Sequence, residues 1–159
     1  MKVIVADSST LITLLDTHNF DLLFGLFGQL IITREVYKEI TFSGDHQVII
    51  DEHIQQHKIS LQTIEYDELY EMLIKRLDRG ESESIVLAKR SKLALLIDER
   101  KGRSIAKSLD ISVIGLIGII LKLMETKIIT KAKAIKIVKQ VEENNFRLSS
   151  ALKYLIYDY

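Results

Sequence analysis

The chain has no cysteine, no proline and no tryptophan among its 159 residues. Without cysteine there is neither a disulfide framework nor a thiolate metal site, so any metal must be held by oxygen or imidazole ligands. No Pro-rich, Gly/Ser-rich or low-complexity linker divides the sequence, and it carries no internal repeat. A single domain over residues 1–159 is therefore expected, long enough to bury a core. No stretch approaches the roughly 20 apolar residues that a membrane-spanning helix needs. The richest, residues 111–124, holds Gly115 and Gly118 and is interrupted by Lys122. One lysine followed by Asp7 makes the N-terminus read as a strand rather than a signal peptide, and a cytoplasmic protein is the expectation.

A surplus charge of one sign is also missing, since 22 Lys/Arg balance 22 Asp/Glu. The balance hides a segregation. Residues 1–99 carry 10 Lys/Arg against 17 Asp/Glu, and residues 100–139 carry 10 against 2. Net charges of −7 and +8 in adjoining segments can set an acidic site beside a basic surface, which suits a metal working on a polyanion. Lysines placed on helix faces for solubility explain the same counts, so charge alone does not decide.

Hydrophobic patterning gives alternating strands and helices. Residues 2–6 form a short apolar run ending at Asp7, which reads as a buried strand. Asp7, Ser8 and Ser9 supply N-cap residue types ahead of Leu11, Ile12, Leu14 and Leu15. A short helix over 20–24, a strand over 29–32 and a helix over 34–40 capped by Thr33 follow. A helix over 47–56 leads to a strand at 59–61. Residues 66–77 read as one amphipathic helix with Leu69, Met72, Leu73 and Leu77 on its apolar face, separated by Gly80 from a helix over 81–91. Residues 93–97 repeat the first strand's pattern, an apolar run ending at Asp98. Helices over 102–109, 116–125 and 130–143, a strand over 112–114 and a last helical turn after Ser149 complete the chain. Such alternation implies an α/β fold with a largely parallel sheet. Sites in such sheets form outside the carboxyl ends of the strands.

That rule selects Asp7 and Asp98, each directly after a strand. Glu81 and Glu83 open the helix before the second of these strands, and Glu39 lies near the end of the helix after strand two. Hard divalent cations take oxygen ligands, and Mg²⁺ binds one or two carboxylates plus waters and substrate phosphate. A cluster of four or five acids repels itself unless a cation neutralises it. Two such ions about 3.5–4 Å apart can serve both the attacking and the leaving oxygen of a displacement. Each acid has a plainer reading beside this one. Asp7 can be an N-cap worth about 1 kcal/mol, Glu81 a complement to the positive helix terminus, Glu39 a solvated surface residue, and residues 98–101 an exposed turn of mixed charge. Their common placement, not any one of them, points to a site.

The motifs then become specific. Val-Ala-Asp7-Ser-Ser-Thr-Leu-Ile, Ile-Ile-Thr-Arg-Glu-Val-Tyr-Lys-Glu39-Ile, Leu-Asp-Arg-Gly-Glu81-Ser-Glu83-Ser-Ile-Val-Leu-Ala and Leu-Leu-Ile-Asp98-Glu-Arg-Lys-Gly-Arg occur in this order. Together they resemble the four acidic motifs of PIN-domain proteins, and the tail Asn-Asn-Phe-Arg-Leu-Ser-Ser-Ala-Leu resembles the ending of a prokaryotic, toxin-like branch of that family. The resemblance spans nearly the whole chain. It implies a three-layer fold with a mostly parallel sheet of four or five strands flanked by helices. It also implies Mg²⁺- or Mn²⁺-dependent hydrolysis of RNA phosphodiesters by in-line water attack, with Asp7, Glu39, Glu81 and Asp98 as catalytic carboxylates and Glu83 as a further metal ligand. Homodimers and, for toxin members, a small antitoxin that blocks the site are implied as partners. Where many toxin members place an aspartate in the third motif, this chain offers Glu81 and Glu83. Either or both can reach a metal, with Glu81 nearer the positive helix end. Glu99, beside Asp98, can assist or face solvent.

Ser9 is read, from its place in the motif, as a partner for phosphate or a water, with helix capping as the equal alternative. Arg100, Lys101 and Arg103 lie close enough to Asp98 to meet a nucleic-acid backbone, a contact that gives affinity without sequence preference. Lys107 reads rather as an exposed helix charge. His53 and His57, four apart, form a possible metal pair, but with no third ligand all four histidines read as surface residues. Tyr154, Tyr157 and Tyr159 read as packing or a dimer contact before base stacking. The leading function is a metal-dependent ribonuclease, a toxin or RNA-processing factor. The alternative is a non-catalytic nucleic-acid- or protein-binding module on the same fold. A receiver-like phosphoacceptor ranks last, because Asp7 is followed by serines and no middle-strand acceptor is evident.

Overall fold

The computed structural model describes residues 2–159. Its sheet is built from β1 (Lys2–Ala6), β2 (Phe27–Thr33), β3 (Ile59–Gln62), β4 (Leu95–Leu96) and β5 (Val113–Ile114). The five strands run parallel in the order β3-β2-β1-β4-β5, so the architecture is α/β with one central parallel sheet. The helices are α1 (Ser8–Asp16), α2 (Arg34–Thr41), α3 (Gln47–Gln55), α4 (Glu68–Leu73), α5 (Arg79–Ser91), α6 (Arg100–Ser108), α7 (Leu116–Glu125), α8 (Lys131–Glu143) and α9 (Ser150–Tyr157), with a 3₁₀ turn over Phe20–Gly25.

Strand alternation sorts the core into two layers. Ile4 and Ala6 of β1, Leu30 and Ile32 of β2 and Leu96 of β4 join Leu11, Leu14, Val36, Ile40 and the apolar faces of α7, α8 and α9 on one side. Val5, Ile31, Leu95 and Ile97 pack on the other side against Tyr70, Leu73, Ile85, Val86 and Ala106 of α4, α5 and α6. Most of these side chains are almost completely buried, each contributing roughly 1.5–3 kcal/mol by leaving water.

Sequence order along the sheet reverses at β1. The chain builds outward through β2 and β3, then returns to add β4 and β5 on the other flank. The switch point lies between β1 and β4, where Val5 pairs with Leu95 and Ala6 with Leu96. Asp7 N–H donates to Leu96 C=O at 2.9 Å, so Asp7 and Asp98 emerge side by side at the carboxyl end of the sheet.

Several elements depart from the sequence reading. The expected helix over 66–77 contracts to α4, capped by Asp67, whose carboxylate accepts Tyr70 N–H at 3.0 Å. The chain must turn after Leu73 so that Leu77 enters the core and Asp78 can cap α5, and Met72 is left 52% exposed. Gly80 lies inside the first turn of α5 rather than between helices, because Asp78 accepts Glu81 N–H at 2.8 Å and starts the helix at Arg79. Glu99 likewise starts α6 at Arg100, accepting Lys101 and Gly102 N–H groups at 3.0 and 2.6 Å. The strand expected over 93–97 forms a ladder only at Leu95–Leu96, although Val5 N–H still reaches Ala94 C=O and Ile97 N–H reaches Ile114 C=O, both at 3.0 Å. His53 is not a surface residue. Its ring is buried against Phe20 and Phe24, with one nitrogen 2.7 Å from Ile49 C=O and the other 3.1 Å from Asp21. His57 is exposed in a left-handed turn, so the two histidines do not form a metal pair.

Candidate functional site

Asp7 occupies the N-cap position of α1 but does not cap it. Its side chain makes no capping hydrogen bond, only 4% of the residue is exposed, and Oδ1 is buried without a partner. Burial is the main force on the carboxyl, opposed by Ser8 N–H and reinforced by Glu39, Asp78 and Glu99, and it pushes the pKa up to about 7. A buried acid that neither caps nor pairs is costly in isolation.

The other acids close around it. Glu39, half-buried near the end of α2, accepts the Ser8 hydroxyl. Burial raises its pKa, Ser8 opposes, and Asp78, Glu35 and Glu83 add repulsion. Glu81, on the first turn of α5, is buried with Oε2 unpartnered. Its pKa is raised by burial first, then by contacts with Asp78 and Glu99 and by the Asp78 and Asp7 charges. Those contacts need a proton on Glu81, so the ionised carboxylate is left without them. Glu81 is also the acid in the first turn of α5, where the positive helix terminus favours a carboxylate. Glu99 behaves in the opposite sense. Burial raises it, but the Gly102 and Lys101 N–H groups, Glu81 and the Lys101 charge outweigh that and lower its pKa.

Asp98 flanks this group on the β4 side. Both its oxygens lie 3.1 Å from Leu116 N–H at the start of α7, and the Thr10 hydroxyl donates to Oδ2. Burial raises its pKa while Thr10, Leu116 and Arg103 pull it down. Arg103 is fixed by a 2.9 Å bond from Nη1 to Ile97 C=O. Glu83 is buried one helical step away from the group, held by the Tyr66 hydroxyl at 2.6 Å. Tyr66 in turn stacks on Tyr70 with ring centroids 3.7 Å apart.

The fold thus brings Asp7, Glu39, Glu81 and Glu99 to one basin, with Asp98 on its rim and Glu83 turned aside to Tyr66. Ser9 is exposed and lines a cleft of about 240 Å³ with Asp98, Glu99 and Arg147. Arg100 and Arg103 line a larger groove of about 610 Å³ next to Asp98, with Lys107 and Arg147. Lys101 is exposed on the first turn of α6.

Four kinds of participant escaped the sequence reading. Asp78 stands against Asp7, Glu39 and Glu81. Its spacing, an N-cap acid three residues before a Glu, is a helix-start signature that could have marked it. Ser8 and Thr10, not Ser9, hold carboxylates, because two residues lie about 200° apart around a helix and these two reach Glu39 on one side and Asp98 on the other. Arg147 arrives from the far end of the chain, inside the tail motif Asn-Asn-Phe-Arg-Leu-Ser-Ser, whose resemblance to a family ending did not by itself place it beside Asp98. Finally, three glycines leave room for carboxylates. A Cβ at Gly80 would collide with the Glu39 carboxylate, one at Gly115 with Asp98, and one at Gly102 would stand 3.0 Å from Glu81 Oε2.

The donor set is all oxygen, two of its buried oxygens lack partners, and its members repel one another. Such a set fits a hard divalent cation that takes one or two carboxylates and fills its remaining positions with water. Among the described residues no three acids or histidines form a ready-made cage, so any ion held here draws part of its shell from water or substrate.

Comparison with known proteins agrees with the fold. Residues 3–158 match the family DUF3368, described as a PIN domain. No curated protein sequence matches the chain. Among solved structures it is similar to a PilT N-terminus domain protein, SSO1118, from the hyperthermophilic archaeon Sulfolobus solfataricus P2. The TM-score is 0.54 at 16% identity, over 79% of this chain and 95% of that one. At that identity the likeness concerns the fold.

Proposed function

The chain belongs to the PIN-domain family, whose members are generally metal-dependent nucleases, and from that premise we propose that it hydrolyses RNA phosphodiester bonds with Mg²⁺ or Mn²⁺. The observation that carries this reading is the pair of buried, unpartnered oxygens, Asp7 Oδ1 and Glu81 Oε2, at the switch point of a parallel sheet. Isolated charges there destabilise the fold, and a cation with a phosphate removes that cost.

Asp7, Glu39, Glu81 and Asp98 hold the cation, with Glu83 as a reserve ligand kept in place by Tyr66. When bound, the cation supplies Lewis acidity to the phosphoryl group and acidifies the attacking water. Ser8 and Thr10 fix the orientation of Glu39 and Asp98, and Asp78 keeps the first turn of α5 in place. Ser9, Arg100, Lys101 and Arg103 meet the phosphate backbone. In the reaction the water oxygen bonds to phosphorus and gives up a proton to a neighbouring carboxylate, the bond from phosphorus to the leaving sugar oxygen breaks with its electron pair, and that oxygen takes up a proton to leave as a hydroxyl. The reading extends to a cytoplasmic toxin restrained by a small antitoxin. It also includes a homodimer, for which exposed Tyr154, Leu155, Tyr157 and Tyr159 offer an apolar surface.

Cleavage of a panel of labelled RNAs with Mn²⁺, with Mg²⁺ and with chelator tests the proposal, using wild type and Asp7→Asn purified side by side. Cutting that requires metal and drops at least about a hundredfold in Asp7→Asn or Asp98→Asn, ~2.7 kcal/mol of transition-state stabilisation, supports it. RNA bound but never cut would replace it with a non-catalytic binding module.

A further inference from the structure

The C-terminal segment takes part in the basin's outer wall. Residues 146–149 run past Asp98 and Glu99, and Ser149 then caps α9 by accepting Leu152 N–H at 3.2 Å. Between this segment and α6 runs the groove of about 610 Å³ whose lining includes Arg100, Arg103, Lys107 and Arg147, with Asp98 as the one acid. Arg100, Lys107 and Arg147 are exposed, and among the described residues none of these three forms an ion pair. Four cations facing one groove from its two walls repel one another, and the single Asp98 leaves room for further anionic charge between them. Arg147 is the one cation that lines both this groove and the narrow cleft that holds Ser9, Asp98 and Glu99, with Asp98 and Leu152 as the other residues common to the two.

We propose that the groove between α6 and the start of α9 is the track for the backbone of single-stranded RNA leading away from the cut, with Arg147 as its phosphate clamp. The inference rests on the nuclease reading and narrows its substrate. A guanidinium is suited to grip a phosphate through two parallel N–H donors. The cleft beside Asp98, about 240 Å³, has room for one nucleotide rather than two strands. Asp7 is itself buried, so a strand must leave the duplex to reach it. Arg100 and then Lys107 meet phosphates outward along α6. Contacts of this kind add affinity without reading sequence.

The test measures binding without turnover, in the full chain carrying Asp7→Asn, with a labelled single-stranded oligoribonucleotide over a range of KCl. Arg147→Gln and Lys107→Gln are each expected to weaken binding several-fold. Each should also reduce the slope of log affinity against log salt by about 0.7, the amount for one lost phosphate contact on a single strand. Lys127→Gln, beyond the far end of α7 and about 15 Å along that helix from Asp98, should change neither. Arg147 is exposed, and an unchanged melting curve for its variant separates lost contact from lost fold. Unaltered affinity and slope in Arg147→Gln overturn the proposal. So does equal binding of duplex RNA, or of polyglutamate, which would make the groove a seat for acidic protein. If wild type fails to cut any RNA while Arg147-dependent binding persists, the nuclease reading falls and the RNA track stands.

Discussion

At the scale of single residues, the site is held together against its own chemistry. Asp7 is buried with an unpartnered oxygen and a pKa raised to about 7 by burial and by neighbouring acids. Removing its charge while keeping its shape should therefore stabilise the metal-free protein. Asp7→Asn is expected to melt higher than wild type in chelator at pH about 8, by about 1–2 kcal/mol. A lower melting temperature would show that Asp7 is structural. Gly102 gives the converse case. Its added Cβ would stand 2.7 Å from Ile97 Cδ1, which is fully buried and cannot yield, and 3.0 Å from Glu81 Oε2. Gly102→Ala should cost about 1–3 kcal/mol and also slow cutting by displacing Glu81. Thermal melts and single-turnover rates measured on the same preparation check both effects. Asp7 and Asp98 were legible in the sequence because each follows an apolar run directly. Glu39 was the weakest member by placement alone, since nothing in its own helix distinguishes it from a solvated Glu, and family resemblance strengthened its grouping with them. Asp78, Thr10 and Arg147 were hidden because their roles are contacts between distant segments.

At the scale of elements, several helix starts were read less closely than most ends, since α4, α5 and α6 begin at Glu68, Arg79 and Arg100 and not at 66, 81 and 102. Thr33, Thr130 and Ser149 cap with their own side chains and are residue types that announce a start, whereas Asp78 and Glu99, which cap α5 and α6, were passed over. The ends carry no such announcement. Helices α1, α3, α5, α6, α7 and α8 are followed by left-handed residues that are not glycine: His18, His57, Lys92, Asp110, Lys127 and Asn145. Glycine is the residue that normally marks this position, and the chain has only seven. The same reasoning gives a prediction. A side chain in the left-handed region costs roughly 1–2 kcal/mol, while glycine there costs part of that in chain entropy. Lys92→Gly, at φ 57° after α5, is expected to stabilise the fold by about 0.5–1 kcal/mol, read as a shifted denaturation midpoint at unchanged slope. Destabilisation would mean that the lysine side chain makes a contact worth more than the strain. The sheet was the most legible part of the fold, because β1 and β2 are short apolar runs of the kind that a parallel strand covered on both faces requires. β4 and β5 were over-read in length, since an apolar run specifies burial but not how many ladder bonds form.

At the scale of the whole molecule, the acidic basin ties global stability to pH and to divalent cations. Asp7 and Glu81 have folded pKa values raised above their ordinary ones. Groups of this kind contribute stability while protonated, and lose it as pH rises through the raised value. Glu39 and Asp98 are raised as well and act in the same direction. Asp67 and Glu99 are lowered, so their contribution is lost only as pH falls below the usual carboxylate range and is constant from about pH 5 upward. Metal-free protein should therefore melt at progressively lower temperature from about pH 5 to about pH 8. A cation that binds the ionised carboxylates stabilises only the folded state. Its effect should grow across the same interval, because fewer protons must leave before it binds. Melting curves in chelator and in Mn²⁺ at several pH values measure both slopes. A Mn²⁺ increment that rises with pH in wild type, and shrinks in Asp7→Asn, would place the ion among these carboxylates without any assay of cutting. An increment independent of pH and of Asp7 would place the cation elsewhere on the surface and remove the basis for treating the basin as a metal centre.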